Sequence, residues 1–313
     1  MNPDLDRPSR NVAAVGGRSH QLAPSRRVQL KMGVQRSIQT EEDNSWREKI
    51  QSYVMQGDFL RLIAEEDSNL TWKSFLWGVP RGVAKFAINA GLNTLPTADN
   101  LKRWGKRTSD LCQVCNGQGK QTLNHVLSSC KVALEQGRLT FRHDSVLRTT
   151  VDFLEGKMKG GFSLFCDLTG RGAGGGGTLP RDIIATAQRP DLVILNRDTK
   201  EVIIFELTVP WDANVDTAHN FKQDKYAALV NDLSSNGFAV GLFCFEVTVR
   251  GQITASNKSR LKSFLFRTTG QSRPFLNSLC MGVSKAALLG SFSIFSARNE
   301  MMWSVGSDLS VQL

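Results

Sequence analysis

Two apolar runs, Leu192–Leu195 and Val202–Phe205, are the clearest feature of the hydrophobic pattern. Between them lies Asn196-Arg197-Asp198-Thr199-Lys200, a polar link rich in turn-forming residues. β-Branched runs flanking such a link predict two neighbouring strands joined by a hairpin. Upstream, Phe162–Leu168 alternates apolar and polar residues as a strand does, and Phe238–Val247 predicts another strand downstream. Val146, Leu147, Val151 and Leu154 repeat at helical spacing in a helix beginning near Arg142, and a further helix is predicted over 214–232. Together these give the order αβββαβ, an α/β (α+β) core over residues 138–270.

The flanks have helical character. Trp46, Ile50, Tyr53 and Val54 fall at helical spacing, and Leu60, Leu62 and Ile63 continue an apolar surface. Trp72, Phe75, Leu76 and Trp77 form another apolar segment, stopped by Gly78 and Pro80. Val83, Phe86, Ala87 and Ala90 predict a helix ending at Gly91, within a helical linker over residues 46–110. Residues 1–45, rich in Arg, Ser, Gly, Gln and Asn, have no sustained period and read as a disordered basic arm. Ala286, Leu289, Phe292 and Phe295 mark a helix that covers the core, in a C-terminal cap over residues 271–313. Ser256–Arg267 predicts a basic amphipathic helix, either part of a nucleic-acid groove or a solvated face.

Composition narrows the class. The chain has 313 residues, 41% hydrophobic and 22% charged, ordinary for a globular protein of about two domains. A net charge of +10 suits a polyanionic partner, whether nucleic acid or an anionic membrane surface. No run of about 18 apolar residues predicts a membrane span, and the N-terminus lacks a secretory h-region. The unevenly spaced cysteines do not form a disulfide framework, which fits a nuclear or cytoplasmic setting.

Three of those cysteines cluster with a histidine. Cys112-x2-Cys115-x9-His125-x4-Cys130, within residues 111–131, has the spacing of a zinc knuckle. The first pair binds from a tight turn, and the second reaches the same ion from a short helix beginning near Thr122. Three thiolates and one imidazole close a tetrahedral Zn2+ shell, the arrangement of a structural site. Just before it, Lys102, Arg103 and Trp104 occupy a short helix capped by Thr97 or Asp99. That helix can grip phosphates and stack on bases, or can bury Leu101 and Trp104 under a solvated basic face.

The hairpin carries the other candidate chemistry. Asp191 opens its first strand and Glu206 closes its second, so antiparallel pairing brings the two carboxylates to one sheet edge. Two such acids can hold a divalent cation through oxygen ligands. A turn into the strand after Pro190 is the alternative for Asp191. For Glu206, burial without a partner would be costly. The glycine run Gly174–Gly177 lacks the Gly-Lys-Ser/Thr of a phosphate loop and reads as a flexible loop beside the site.

Pro190-Asp191 followed by Glu206 on an apolar strand resembles the PD-(D/E)xK nuclease core. With Arg189 before it, the pattern is similar to the restriction-like endonuclease of site-specific non-LTR retrotransposons. The position of the usual lysine is Thr208, but those enzymes carry a lysine on the next helix in a KxxKY-like pattern, which Lys222-Gln223-Asp224-Lys225-Tyr226 matches. The zinc motif before the core and the Arg142-His143 helix start also resemble that family. The resemblance implies Mg2+- or Mn2+-dependent phosphodiester hydrolysis of DNA, with Asp191 and Glu206 as metal ligands. Helical phase ranks Lys222 ahead of Lys225 as the ammonium and turns Tyr226 inward. Arg189 either contacts the scissile phosphate or pairs with an acid. Arg142 is a substrate-binding candidate, and His143 is a phosphate contact or a surface histidine. The partner implied is DNA, with element RNA as a further candidate. The chain has no reverse-transcriptase Asp-Asp motif, so it reads as a nuclease module without the polymerase. The alternatives are a catalytically inactive zinc-knuckle protein that binds nucleic acid, or a zinc scaffold.

Overall fold

A computed structural model describes residues 26–64, 78–173, 179–270 and 273–303. The Trp72–Trp77 segment and the Gly174–Gly177 loop therefore lie outside the described residues. Contacts divide the chain into two units, one ending at Trp46 and one starting at Arg47.

The first difference from expectation is in the N-terminal arm. Helix α1 runs from Arg26 to Gln51, although a disordered arm was expected up to residue 45. Its Arg, Gln, Glu and Lys residues are good intrinsic helix formers, which a search for an apolar stripe passes over. Its side chains are largely exposed, and Val54 beyond it is fully exposed, so the apolar spacing around Trp46 builds no core stripe.

From Arg47 on, short helices lead to the sheet. Helix α2 spans Gly57–Ala64 and α3 spans Arg81–Gly91, the latter burying Val83, Phe86, Ala87 and Ala90. Helix α4, Ala98–Arg103, is capped by Thr97, whose hydroxyl accepts from the Asn100 amide. After the cysteine segment come α5 (Lys131–Glu135) and α6 (Arg138–Leu154). The sheet is built from β1 (Phe162–Cys166), β2 (Leu192–Asn196), β3 (Glu201–Thr208) and β4 (Ala239–Glu246), in spatial order β1-β2-β3-β4. Strands β1, β2 and β3 pair antiparallel, whereas β3 and β4 pair parallel and are connected through α7, Val215–Ser235. The succession α6-β1-β2-β3-α7-β4 has the anticipated order.

Both faces of the sheet are covered, so the central strands are apolar throughout instead of alternating. Leu192, Ile194, Ile203 and Phe205 face a core shared with α6, α8 (Ala255–Thr268) and α9 (Arg273–Ser296). Val193, Leu195, Val202 and Ile204 face α7 through Tyr226, Leu229 and Leu233. Period-two geometry therefore puts Asp191 and Glu206 on the α7 face, because each shares the parity of that second set. The register Leu192↔Phe205 makes them neighbours across the hairpin.

Helix α9 packs along the core. It contributes Leu279, Val283, Ala286 and Ala287 to the main core, and its later turns hold Leu288, Leu289, Ile294 and Phe295 against α3 and the cysteine segment. Among the described residues it is one helix long and apolar enough to cross a membrane, but 67% of its apolar window is buried inside the protein. Apolarity all round is what a core helix requires. One such helix does not make a membrane protein.

Candidate metal centre and carboxylate site

The four zinc ligands are gathered by two local devices. A bridge between Leu111 and Lys120 closes a small hairpin, in which the Gly119 carbonyl accepts from the Cys112 amide at 2.9 Å. Asn116 and Gly117 turn it with φ of 51° and 79°, a left-handed region that asparagine and glycine tolerate best. Thr122 accepts from the His125 amide at 3.1 Å and starts the second device, a wide turn over His125–Ser129 with i→i+5 bonding. In an ordinary α-helix of about 3.6 residues per turn, a residue five positions on has rotated well past the first. The wider turn returns Cys130 to the side of His125.

The side-chain ligand atoms of Cys112, Cys115, His125 and Cys130 all lie within 4.8 Å of one another, with Cys115 Sγ 3.5 Å from His125 Nε2. Donor atoms of a tetrahedral zinc with bonds of about 2.0–2.3 Å stand roughly 3.5–4 Å apart, so the set closes on an ion with small shifts. Burial raises the Cys112 thiol to about 11, with Cys115 and Cys130 adding to it, and burial lowers the His125 pKa. A neutral imidazole is ready to ligate. The Cys112 thiolate needs the cation's charge to form at neutral pH. All four residues are consumed by a closed shell, so the centre is structural and leaves no open position for substrate.

The centre is tied to the rest of the unit. Leu123, Val126 and Leu127 enter the core formed by α3 and α9. Gln121 accepts from the Ala98 amide at 2.9 Å and donates to the Arg298 carbonyl at 3.2 Å.

The structure also brings Asp191, Glu206, Lys222, Lys225 and Tyr226 together. Glu206 is buried; its Oε2 accepts from the Asp191 amide at 3.1 Å and its Oε1 accepts from Lys222 Nζ. Lys225 Nζ lies 3.9 Å from the same Oε1 and donates to the Tyr226 hydroxyl at 2.9 Å. That hydroxyl donates to the Arg189 carbonyl at 3.0 Å. Asp191 Oδ2 accepts from the Leu207 amide at 2.8 Å and lies 3.3 Å from His143 Nε2. Burial first, then the Asp191 charge, raises the Glu206 pKa, while Lys222 opposes the shift. Three of the four carboxylate oxygens thus already face donors of the protein. Thr208, where the nuclease pattern has lysine, holds a buried hydroxyl without a hydrogen-bond partner.

Other expected site residues are placed differently. The Arg189 guanidinium is exposed and pairs with Asp167. Arg142 does not start its helix; it sits within α6, buried, donating to the Leu127 carbonyl at 2.8 Å and to Ser291 at 3.3 Å. Burial lowers its pKa to about 9. From inside the protein it clamps the cysteine segment to α9. Lys102 pairs with Asp110 at 3.1 Å, and Arg103 contacts Asn100 and Met55, so both stand at the zinc end of the unit. Trp104 beside them is 41% exposed and is not core.

His143 is the main correction to the surface reading. Burial acts to lower its pKa, but Asp144 at 3.0 Å and Asp191 together raise it to about 10. No local pattern signals the Asp191 contact, since that partner is 48 positions away. A second polar group escaped the sequence reading. Glu246, buried at the end of β4, meets His219 at 3.0 Å and Arg260 at 3.6 Å. Here a signal existed: Glu246 ends an apolar run as Glu206 does.

A family model described as zinc-binding in reverse transcriptase matches residues 57–136. No curated protein was found to match the chain. The chain therefore carries a Cys-Cys-His-Cys cluster similar to that family's zinc-binding site, followed by a mixed α/β region with an open four-stranded sheet.

Proposed function

We propose that this protein is a retroelement-derived module that binds nucleic acid, with its zinc knuckle as the structural anchor of the binding face. The observation that carries this reading is the convergence of Cys112, Cys115, His125 and Cys130 inside the matched segment. The knuckle lies beside α4, which presents Trp104 together with Lys102 and Arg103. Basic side chains around an exposed indole suit phosphates and a stacked base. The net charge of +10 supports the same partner, and DNA as that partner implies action in the nucleus.

A second reading, a PD-(D/E)xK endonuclease, is favoured by one specific arrangement: Asp191 and Glu206 share a sheet face with Lys222 on Glu206. In that reading the two acids hold Mg2+ or Mn2+, which supplies an activated water and charge neutralisation at phosphorus. Lys222 would orient the attacking water, and His143 would hold Asp191. What weighs against it is that Lys222, the Asp191 and Leu207 amides, and His143 already occupy three carboxylate oxygens.

One experiment addresses both readings. The zinc-loaded protein is titrated with labelled DNA at several salt concentrations, then incubated with supercoiled plasmid and Mg2+ or Mn2+. Steeply salt-dependent binding with no nicking is the expected result. Nicking abolished by Asp191→Ala and by Glu206→Ala would establish the enzyme instead, and absence of binding at low salt would overturn both.

A further inference from the structure

A groove of about 650 Å³ runs between the zinc-knuckle turn and α7, at the edge of the carboxylate site. Its walls include Ser128, Leu139, Arg142, His143, Trp211 and Phe221, and no carboxylate is among its lining residues. The volume is in the range of a small-ligand site, roughly 300–1,000 Å³.

Two independent features mark this groove as built for a ligand. Arg142 is 3% exposed, and among the described residues its charge faces the carbonyls of Leu127 and Val209 and the Ser291 hydroxyl. Among the described residues no acid pairs with it. Its Nε and the Ser128 hydroxyl, both buried, have no hydrogen-bond partner. A buried charge is ordinarily paired with an acid, so Arg142 leaves an uncompensated positive charge at the groove wall. The second feature is Phe221. It is 65% exposed on α7, immediately before Lys222, the lysine that holds Glu206. Trp211 on the same wall is already stacked against the Arg250 guanidinium at 4.5 Å, which leaves Phe221 as the aromatic surface open to a ligand.

We infer that this groove takes one unpaired nucleotide of a nucleic-acid strand, its base stacked on Phe221 and its phosphate drawn to the Arg142 side. This rests on the nucleic-acid reading above and adds a preference for an unstacked base. Aromatic stacking recognises any base face, and the unpaired cation complements a phosphate. A base within a duplex cannot present its face to Phe221. His143 lines the groove and also touches Asp191, so a nucleotide held there lies next to the carboxylate pair.

The test uses the full zinc-loaded chain and three DNA probes: a single strand, a duplex with one bulged 2-aminopurine, and the fully paired duplex. A matching RNA strand and a free nucleoside monophosphate form further arms. Wild type should bind the bulged and single-stranded probes more tightly than the paired duplex and quench the 2-aminopurine. Phe221→Ala should weaken binding to both by about tenfold, the loss expected for one stacked base, and should restore the fluorescence. Phe221→Leu, which keeps apolar bulk without a π-face, should behave like Phe221→Ala. Because Phe221 is exposed, both variants should keep the wild-type melting profile. Equal affinity of wild type and both variants for the bulged probe, with DNA binding otherwise intact, would overturn the groove assignment alone. Tight capture of the free monophosphate with no preference among the strands would overturn the strand as occupant. Failure to bind any probe at low salt would remove the nucleic-acid reading itself.

Discussion

Substituting Cys130→Ser, or extracting zinc with a chelator, tests how far the knuckle supports the rest of the unit. Leu123, Val126 and Leu127 lie between the ligands and are buried against α3 and α9. Each is worth about 1.5–3 kcal/mol when fully buried, so their docking contributes on the order of 4–9 kcal/mol as an upper bound. Zinc binding in small finger peptides supplies about 10–16 kcal/mol, so the ion is the larger of the two holding terms. Losing one ligand should release the knuckle, expose those three side chains and remove the Leu127 carbonyl from Arg142. The expected consequence is a global loss of several kcal/mol, comparable with the roughly 5–15 kcal/mol stability of a whole domain. Urea denaturation followed by tryptophan fluorescence, together with amide exchange at Val126 and Leu127, measures it. Wild-type midpoints and exchange protection after complete zinc removal would refute the reasoning, because the hairpin and the wide turn would then stand without the ion.

Other expectations follow from particular contacts. Asp212→Ala should destabilise by about 3–5 kcal/mol, because it strands buried Arg250, whose Nε lies 2.7 Å from Asp212 Oδ2; a denaturation midpoint near wild type would contradict this. His143 has a pKa raised from 6.5 to about 10, so its contribution to stability is complete below about pH 6.5 and fades as pH rises towards 10. NMR titration should find the imidazole still protonated at pH 8, and a midpoint near 6.5 would disprove the pairing with Asp191 and Asp144. Trp104→Ala should weaken DNA binding by about 1–3 kcal/mol with little change in stability, since the indole is half exposed; unchanged affinity in a fluorescence titration would place the nucleic acid elsewhere.

The zinc ligands and the strand order were legible in the sequence because each depends on short-range rules. Two cysteines three apart share a turn, and the short β-branched runs Leu192–Leu195 and Val202–Phe205 around a polar link read as paired strands. Antiparallel pairing of the hairpin likewise brings Asp191 and Glu206 to one sheet edge. The extent of α1 was missed because a polar helix shows intrinsic propensity without an apolar stripe. That α9 lies against the core was expected, but a helix apolar on all sides gives no direction to its partners, and its place between α6 and α3 came only with the structure.

Side-chain partners across long sequence separations belong to the tertiary structure alone. Nothing around Arg142 reveals that Leu127, Val209 and Ser291 will enclose it, and nothing around His143 reveals Asp191. Those contacts depend on how α6 rolls against the sheet and on where the knuckle docks, both set by packing of whole apolar faces. Periodicity determines which side of an element is buried. Only the packed protein determines what meets it there, because burial is non-directional whereas hydrogen bonds and ion pairs require particular atoms within about 3–4 Å.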